Sequence, residues 1–410
     1  MSDHDVLVIG SGHGGVSAAS TLRQLGYEGT IAILSADRDE PYERPPLSKD
    51  FLTGDKDAHS IHLRGPAFWD EKQIQLILGE TVASIDAPLH RVTTASGKTF
   101  GYGKLVWAAG GEPRRLSCEG AELAGLHTIR SRADVEALLT ELGGASRIVV
   151  IGGGYIGLEA AASLTKLRKH VTVVEALDRL LTRVAGPAIS DFFLGQHREH
   201  GVDVRLGAAV SCIEGVDGRV SAVRLADGIS LAADIVIVGI GIQPHVRPLA
   251  AAGADVSNGV AVDEHCRTTL PDIYAVGDCA LHRNAFAPDH PVRLESVQNA
   301  ADQGTVAAHH ICGTPAAYAA TPWFWSNQYD IKLQTVGLNS GYDQTLVRGD
   351  PSSGRFSVIY LRAGQIVALD CVNMVKDYVQ GRALVECRAM IEPSLLTDPE
   401  TPLKALAAQE

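Results

Sequence analysis

The chain of 410 residues lacks three patterns that would each name a class of protein. Its seven cysteines are scattered and no two stand at CxxC spacing, so zinc knuckles, protein-held iron–sulfur clusters and dithiol motifs have no support. No run approaches the roughly 20 apolar residues of a membrane-spanning helix, because the longest, residues 148–164, contains three adjacent glycines and Glu159. Lys and Arg total 36 against 48 Asp and Glu, which argues against nucleic acid or an anionic membrane as a partner.

Location and general class follow from the same absences. The first five residues are acidic and lack the positive and apolar regions of a signal peptide. The histidines stand at no metal-ligand spacing with cysteines or carboxylates, so no metal is expected. We therefore expect a cytoplasmic protein of two to three domains whose thiols stay reduced.

Glycine, by contrast, is abundant at 42 residues, and part of it stands in an internal repeat. Apolar residues 6–9 and 148–151 each lead into a GxGxxG turn and a helix-like stretch. In such a turn the first glycine makes the bend, the second lets the backbone approach a pyrophosphate and the third allows close helix packing. The helix N-terminus then offers N–H groups to the phosphates. The glycines are Gly10, Gly12 and Gly15 in the first copy and Gly152, Gly154 and Gly157 in the second. Two copies predict two dinucleotides that exchange electrons.

The acidic residue that closes the second strand differs between the copies. Glu175 follows residues 171–174, where a carboxylate can accept the hydroxyl groups of an adenosine ribose. This position predicts NADH rather than NADPH, although a strand-end Glu in solvent has the same spacing. In the first copy the nearest acid, Asp37, is displaced by a short distance along the chain.

Five further segments, in order, complete a recognisable set: residues 41–49, 106–110, 235–244, 273–280 and 322–330. Together they resemble the FAD-dependent pyridine-nucleotide oxidoreductases. More narrowly they resemble the NADH-dependent ferredoxin reductases of bacterial monooxygenase and aromatic-ring dioxygenase systems. Rubredoxin reductases and apoptosis-inducing factor share the pattern.

The resemblance implies an α/β fold with two doubly wound, Rossmann-like dinucleotide-binding domains and a smaller α+β C-terminal domain. The FAD-binding domain is expected in two parts, residues 1–113 and 244–321, with an NAD-binding domain at 114–243 and an interface domain at 322–410. The implied reaction is hydride transfer from NADH to N5 of FAD, then single-electron transfer to a [2Fe–2S] ferredoxin that feeds an oxygenase. The alternatives are a rubredoxin reductase or a flavin-dependent signalling protein. A monomer and a homodimer both remain possible.

The resemblance also assigns the cofactor contacts. For FAD, Gly12 and His13 hold the pyrophosphate, Val82 meets the adenine through its backbone, Asp278 bonds the ribityl chain, Val297 offers its N–H to the pyrimidine edge, Trp325 lies beside the isoalloxazine, and Arg44, Lys49 and Arg130 contact the cofactor. The family usually has an acid where this chain has Ala36, so Asp37 or Ser35 takes over the ribose contact. Tyr155, Ile156, Arg183 and Gly241 are assigned to NAD, with solvent as the alternative for Arg183.

Lys49 and Glu159 are the expected catalytic residues. Lys49 stands on a proline-rich loop and is predicted to stabilise negative charge near flavin N5, whereas the simpler interpretation is a solvated surface lysine. Glu159 is predicted in the first turn of its helix. It is either an acid favoured by the helix N-terminus or the ion-pair partner of Lys49.

Thiol-dependent relatives are not expected. Dithiol flavoenzymes need a cysteine pair near the flavin, and NADH peroxidases and oxidases need one cysteine. The first cysteine here is Cys118, and the corresponding loop contains Ser48.

Overall fold

The computed structural model describes residues 2–406, which form two compact units. Unit 1 contains the chain up to Arg44 together with Ala58–Glu112 and Gln243–Pro322. Unit 2 contains Pro45–Asp57, Pro113–Ile242 and the chain from Trp323 onward. Among the described residues, no helix is both long enough and apolar enough to cross a lipid bilayer.

The strands, in chain order, are β1 Ser2–Ile9, β2 Ile31–Ser35, β3 Ile74–Leu78, β4 Val82–Asp86, β5 Arg91–Thr94, β6 Thr99–Trp107, β7 Gly111–Pro113, β8 Leu126–His127, β9 Arg147–Ile151, β10 His170–Val174, β11 Asp203–Arg205, β12 Val210–Val216, β13 Arg219–Leu225, β14 Ser230–Ala232, β15 Ile235–Val238, β16 Ile242–Pro244, β17 Val260–Ala261, β18 Ile273–Ala275, β19 Ala280–Asn284, β20 Ala287–Val292, β21 Trp323–Gln328, β22 Ile331–Gly337, β23 Gln344–Asp350, β24 Arg355–Arg362 and β25 Gln365–Val372. The helices are α1 His13–Gln24, α2 Ala67–Glu71, α3 Arg132–Leu142, α4 Tyr155–Lys166, α5 Pro187–Glu199, α6 Arg247–Ala251, α7 Val297–Ile311, α8 Val375–Cys387, α9 Pro393–Thr397 and α10 Leu403–Leu406. Short 3₁₀ helices span Pro45–Ser48, Gly277–Cys279 and Pro351–Ser353.

Unit 1 is built on a sheet of strand order β3-β2-β1-β6-β5-β4, with β18 also paired to β6. Strands β1, β2, β3, β6 and β18 are parallel, and β4 and β5 are antiparallel. The apolar run at the end of β1 is fully buried, as expected for a parallel strand covered on both faces. Helices α1 and α7 pack so closely that a Cβ atom on Gly304 would collide with the Gly14 carbonyl oxygen.

Unit 2 repeats the parallel sheet and adds two antiparallel ones. Its parallel sheet has the order β11-β10-β9-β15-β8, and β12-β13-β14 form a smaller antiparallel sheet. The C-terminal part forms an antiparallel sheet of order β21-β22-β25-β24-β23, which packs against α8. The predicted fold class, two parallel α/β sheets plus a smaller α+β part, is confirmed.

Two buried acids lie in the C-terminal part of unit 2, Asp370 on β25 and Asp377 on α8. Asp377 pairs with buried Arg348, whose Nε lies 3.0 Å from the carboxylate. Asp370 accepts a hydrogen bond of 2.5 Å from the Tyr360 hydroxyl. Burial raises the pKa of Asp370 to about 7, and the hydrogen bond from Tyr360 opposes this rise only in part.

Asp370 should therefore make unit 2 less stable as the pH rises. Because its pKa is higher in the folded protein than in the unfolded chain, its contribution to stability is complete below about pH 4 and is lost as the pH rises through 7. Between pH 5 and pH 8 we expect Asp370→Asn to lose less thermal stability than the unmutated protein. A difference of about 2–4 °C, the effect of about 1 kcal/mol, should appear in melting curves. Exposed Asp330 is the matched control, and an identical pH dependence in Asp330→Asn and Asp370→Asn would contradict the assignment.

Candidate active site

The first glycine-rich turn lies in unit 1, between β1 and α1. Gly10 has a φ of +106°, a conformation that L side chains rarely adopt, and its N–H donates to the Leu34 carbonyl at 2.8 Å. A Cβ on Gly15 would collide with the Gly10 carbonyl oxygen, which fixes how closely α1 follows the turn. A Cβ on Gly12 would meet no atom within 4 Å.

The second turn, in unit 2 between β9 and α4, has the same geometry. Gly152 has a φ of +111° and its N–H donates to Val174 at 2.8 Å. A Cβ on Gly157 would collide with the Gly152 carbonyl, whereas the space beside Gly154 is open for at least 4 Å.

Both turns fit a pyrophosphate. Gly12 and Gly154 are the N-cap residues of α1 and α4, and neither helix has a side chain bonded to its first N–H groups. Each turn therefore has open space beside backbone N–H groups that no capping side chain accepts, at the positive end of a helix dipole. A dinucleotide pyrophosphate requires this combination.

Three of the predicted FAD contacts in unit 1 influence one another electrostatically. The pKa of His13 is lowered to about 4, chiefly by burial and to a smaller extent by the positive charge of Arg44, while the charge of Asp278 acts in the opposite direction. His13 is thus neutral at neutral pH. Asp278 lies in the 3₁₀ helix after β18, and Arg293 holds its backbone by a hydrogen bond of 2.8 Å to the carbonyl oxygen.

The two candidates for the ribose contact differ in their surroundings. Ser35 is buried, and its hydroxyl lies 2.8 Å from the Ser11 hydroxyl. Asp37 is partly exposed, and it accepts a hydrogen bond of 2.6 Å from the Tyr42 hydroxyl. The Arg44 guanidinium lies over the Tyr42 ring, 5.4 Å from its centre, so Asp37 and Arg44 share one neighbour.

The remaining FAD candidates of unit 1 stand at the ends of elements. Val82 is the first residue of β4 and is partly buried. Val297 is the first residue of α7, next to the N-cap Ser296, whose hydroxyl accepts the N–H of Asn299. The N–H of a first helical residue has no partner within its helix, so Val297 has a donor to offer.

Glu175 in unit 2 is fixed by the backbone around it. Its two carboxylate oxygens accept the N–H of Gly153 at 2.6 Å and the N–H of Leu177 at 2.9 Å. The carboxylate is partly exposed and lies beside the second glycine turn. It keeps lone pairs for further donors.

Arg183 and Gly241, both predicted NAD contacts, are neighbours. The Arg183 guanidinium is exposed and its nitrogen lies 3.4 Å from where a Cβ of Gly241 would stand. The nearby Arg179 is instead used inside the loop, since it donates to the carbonyl oxygens of Thr182 and Ala185.

Lys49 and Glu159 form a partly buried ion pair in unit 2. Lys49 Nζ lies 2.5 Å from Glu159 Oε2, and the side chains are 15% and 2% exposed. The prediction that Glu159 lies in the first helical turn is wrong, because α4 begins at Tyr155 and Glu159 falls in the second turn. It therefore lies too deep to act as an exposed acid at the helix N-terminus.

The other predicted residues of unit 2 lie before α3, at the start of α4 and on β21. Arg130 precedes α3, and its N–H donates to Asp134 at 3.1 Å. Tyr155 stacks against Phe324 with ring centres 4.6 Å apart, whereas Ile156 is 44% exposed. Trp325 is partly buried in β21, next to Trp323 at 5.5 Å between ring centres.

Sequence reasoning missed three polar residues that reach Glu159 directly or through a neighbour: Ser326, Gln328 and His197. Ser326 and Gln328 alternate with Trp325 along β21. Polar residues that alternate with aromatic ones along a strand were a signal for Ser326 and Gln328, whereas His197 lies on α5, outside any motif.

Comparison with known proteins identifies the family. A model described as pyridine nucleotide-disulphide oxidoreductase matches residues 4–304, and one described as reductase C-terminal matches residues 323–407. The chain belongs to the pyridine nucleotide-disulphide oxidoreductase family. A ferredoxin–NAD(P)(+) reductase of Sphingomonas sp. is 57% identical over 402 residues, which cover 98% of this chain and 97% of the relative.

Two further matches extend over the whole chain. The ferredoxin reductase subunit of 5,5′-dehydrodivanillate O-demethylase from Sphingobium sp. is 56% identical over 411 residues and covers 100% of both chains. The crystal structure of a covalent putidaredoxin reductase–putidaredoxin complex matches with a TM-score of 0.95 at 39% identity, covering 100% of this chain and 99% of that chain.

Membership of this family confirms the predictions of an oxidoreductase that uses FAD and NADH. The disulphide in the family's name has no counterpart among this chain's thiols. All seven cysteines are free, and Ser48 precedes Lys49 in the loop.

The glycine turns give a matched pair of variants. Gly12→Ala should fold normally but lose FAD, because the added methyl group enters the open space beside the helix N-terminus. Gly15→Ala should lower the melting temperature of the protein, because its Cβ meets the Gly10 carbonyl. Flavin absorbance per protein and thermal melting measure the two effects. Full FAD content in well-folded Gly12→Ala would contradict the assigned pyrophosphate position.

Proposed function

We propose that this oxidoreductase is an NADH-dependent ferredoxin reductase, which delivers electrons singly to a [2Fe–2S] ferredoxin that feeds an oxygenase. The 57% identical relative is named for ferredoxin, and the matching crystal structure contains putidaredoxin.

One observation carries the proposal: the loop in which a redox cysteine would be expected contains no cysteine, and its Ser48 hydroxyl donates to Glu159 Oε2 at 2.5 Å. A disulfide-reducing enzyme passes electrons through thiols of its own chain. Here the hydroxyl group of Ser48 accepts no electrons, so they leave for an external acceptor.

The residues of unit 2 support the reducing step. When bound, FAD would supply the redox chemistry, namely acceptance of a hydride from NADH and release of single electrons. Lys49 places a positive charge where negative charge develops on the flavin, and Glu159 orients Lys49. Trp325 and Arg130 complete the contacts of this unit with FAD.

A second group of proposed FAD contacts lies in unit 1. Gly10, Gly12 and Gly15 shape the turn that receives the pyrophosphate, next to neutral His13. Asp37 takes the ribose contact, because Ser35 is buried and engaged with Ser11. The FAD contacts that we assign to this unit are His13, Asp37, Arg44, Val82, Asp278 and Val297.

NADH binds at the second turn of unit 2. Its pyrophosphate lies at Gly152, Gly154 and Gly157, with Tyr155 and Ile156 at the start of α4. Glu175 accepts the ribose hydroxyls, and Arg183 beside Gly241 meets the phosphates.

We also propose the division into an FAD-binding domain (1–113 and 244–321), an NAD-binding domain (114–243) and an interface domain (322–410). The family matches to residues 4–304 and 323–407 support the last boundary. A cytoplasmic location is supported by the seven free thiols, which persist in a reducing compartment.

The acceptor is tested by NADH-driven reduction of cytochrome c with a panel of [2Fe–2S] ferredoxins and with rubredoxin. We expect at least one ferredoxin to raise the rate strongly, with two ferredoxins reduced for each NADH. A strong increase with rubredoxin and none with any ferredoxin would make the chain a rubredoxin reductase. Slow flavin reduction with no stimulation by either would favour a signalling flavoprotein.

Lys49→Met should slow flavin reduction by NADH about ten-fold while FAD remains bound, because one electrostatic contact is lost and the shape is kept. Stopped-flow absorbance at saturating NADH measures this rate. An unchanged rate would leave Lys49 without the proposed role.

A double variant separates catalysis from folding. Lys49→Met alone leaves the buried Glu159 charge uncompensated, which lowers stability. Lys49→Met with Glu159→Gln removes both charges, so we expect its melting temperature to recover while flavin reduction stays slow. If the melting temperature and the rate of flavin reduction both recovered in the double variant, Lys49 would contribute only to stability.

Glu175 should favour NADH over NADPH. A carboxylate about 4 Å from the additional phosphate of NADPH is repelled by roughly 4 kcal/mol per unit charge at an effective dielectric constant near 20. Half of that corresponds to a preference of about thirty-fold in kcat/KM.

We expect Glu175→Ala to reduce this preference, mainly through a higher KM for NADH. Asp178, an exposed acid in the same loop, is the control, and Asp178→Asn should keep the preference. Equal kcat/KM for the two coenzymes in the unmutated protein would refute this role.

A further inference from the structure

A continuous series of hydrogen bonds joins Glu159 to the surface of unit 2. Ser326 Oγ donates to Glu159 Oε1 at 2.7 Å, and Gln328 Nε2 donates to Ser326 Oγ at 3.2 Å. Gln328 Oε1 lies 2.8 Å from His197 Nε2, and His197 Nδ1 lies 2.9 Å from the Tyr329 hydroxyl. Ser326, Gln328 and His197 are all at most 1% exposed.

The chemistry of the partners fixes the direction of every bond. Since Gln328 Oε1 is only an acceptor, His197 Nε2 carries the hydrogen, and Nδ1 then accepts from Tyr329. Burial lowers the pKa of His197 to about 4, so the ring stays neutral at neutral pH with this single tautomer. All donors in the series therefore point towards Glu159.

The consequence falls on the hydroxyl group of Ser326. A free serine hydroxyl rotates and can either donate or accept. Because Gln328 already donates to the Ser326 oxygen, the Ser326 hydrogen is directed to Glu159. Glu159 then receives donors from Ser326, Ser48 and Lys49 and remains an acceptor.

We infer that His197 and Gln328 are positioning residues for NADH oxidation, which act through Ser326 to hold the Glu159 carboxylate towards Lys49. The inference rests on the proposed role of Lys49 and Glu159 beside the flavin. Neither His197 nor Gln328 touches the reacting atoms.

Stability alone does not account for this arrangement. Burying a histidine, an amide and a hydroxyl costs free energy that their mutual hydrogen bonds at best balance, and apolar side chains would fill the same space more cheaply. The series, however, ends at one of the two charges of the ion pair. Its effect should therefore appear in the properties of the flavin.

Two substitutions of His197 separate positioning from packing. His197→Phe fills the space but breaks both hydrogen bonds, whereas His197→Gln can donate to Gln328 and accept from Tyr329. We expect His197→Phe to make the flavin midpoint potential more negative and to slow flavin reduction at saturating NADH about five-fold, with KM for NADH unchanged. His197→Gln should restore both values. Equal changes in the two variants, or a change in melting temperature alone, would overturn the inference.

Ser326→Ala tests the route and remains available if His197→Phe does not fold. It removes the donor at Glu159 directly, so it should reproduce the lower potential and the slower reduction. Where His197→Phe folds, the double variant His197→Phe, Ser326→Ala should have the same potential and the same reduction rate as Ser326→Ala alone. Additive effects of the two substitutions would show that His197 does not act through Ser326. Normal potential and rate in Ser326→Ala would refute the route. Lys49→Met separates a failure of this inference from a failure of the proposed function. If Lys49→Met slows flavin reduction but the His197 and Ser326 variants do not, only the present inference fails. If Lys49→Met does not slow flavin reduction, the proposed role of Lys49 fails.

Discussion

The buried carboxylate of Glu159 sets a condition that the rest of unit 2 has to meet. An ionised carboxylate that is 2% exposed costs several kcal/mol unless donors surround it. Those donors come from Lys49, Ser48 and Ser326, which are 110, 111 and 167 positions away in sequence. The proline-rich loop and the first strand of the C-terminal sheet must therefore lie against α4 to supply the Glu159 carboxylate with its donors. This explains physically why the short stretch Pro45–Asp57 belongs to unit 2 although the chain on both sides of it belongs to unit 1.

The two glycine-rich turns share the geometry of their glycines but differ in the acidic residue that follows each turn. In both, a Cβ on the third glycine would collide with the carbonyl oxygen of the first, and the second glycine leaves open space at a helix N-terminus. The difference lies in the acid that follows. Glu175 accepts two backbone N–H groups at 2.6 and 2.9 Å, whereas Asp37 accepts the Tyr42 hydroxyl at 2.6 Å and the N–H of Asp39 at 3.3 Å. Two short bonds from the backbone fix the carboxylate of Glu175 firmly, which suits the discrimination between coenzymes that we assign to Glu175.

The parts of the site that sequence could predict are local in the chain. Strand, turn and helix stand within about twenty residues, so the roles of the glycines follow from spacing. Glu159 was predicted in the first turn of α4 but lies in the second, because Gly154 is the N-cap and α4 starts two residues before Gly157. His197 and Gln328 could not be found in this way, since their contact joins positions 131 apart and neither residue type stands in a motif. Only the pairing of β21 with β22 and the packing of α5 bring them together.

Ser48 shows why the electron path must leave this chain. Its hydroxyl is fully buried and donates to Glu159 at 2.5 Å. A thiol at the same position would lie next to the Glu159 carboxylate, which raises the pKa of a thiol, and next to the Lys49 ammonium, 3.5 Å from Ser48 Oγ, which lowers it. The ion pair by itself therefore does not exclude thiol chemistry at this point of the fold. The residue type does, because a serine hydroxyl accepts no electrons, and the proposed route from the flavin therefore leads directly to a separate protein.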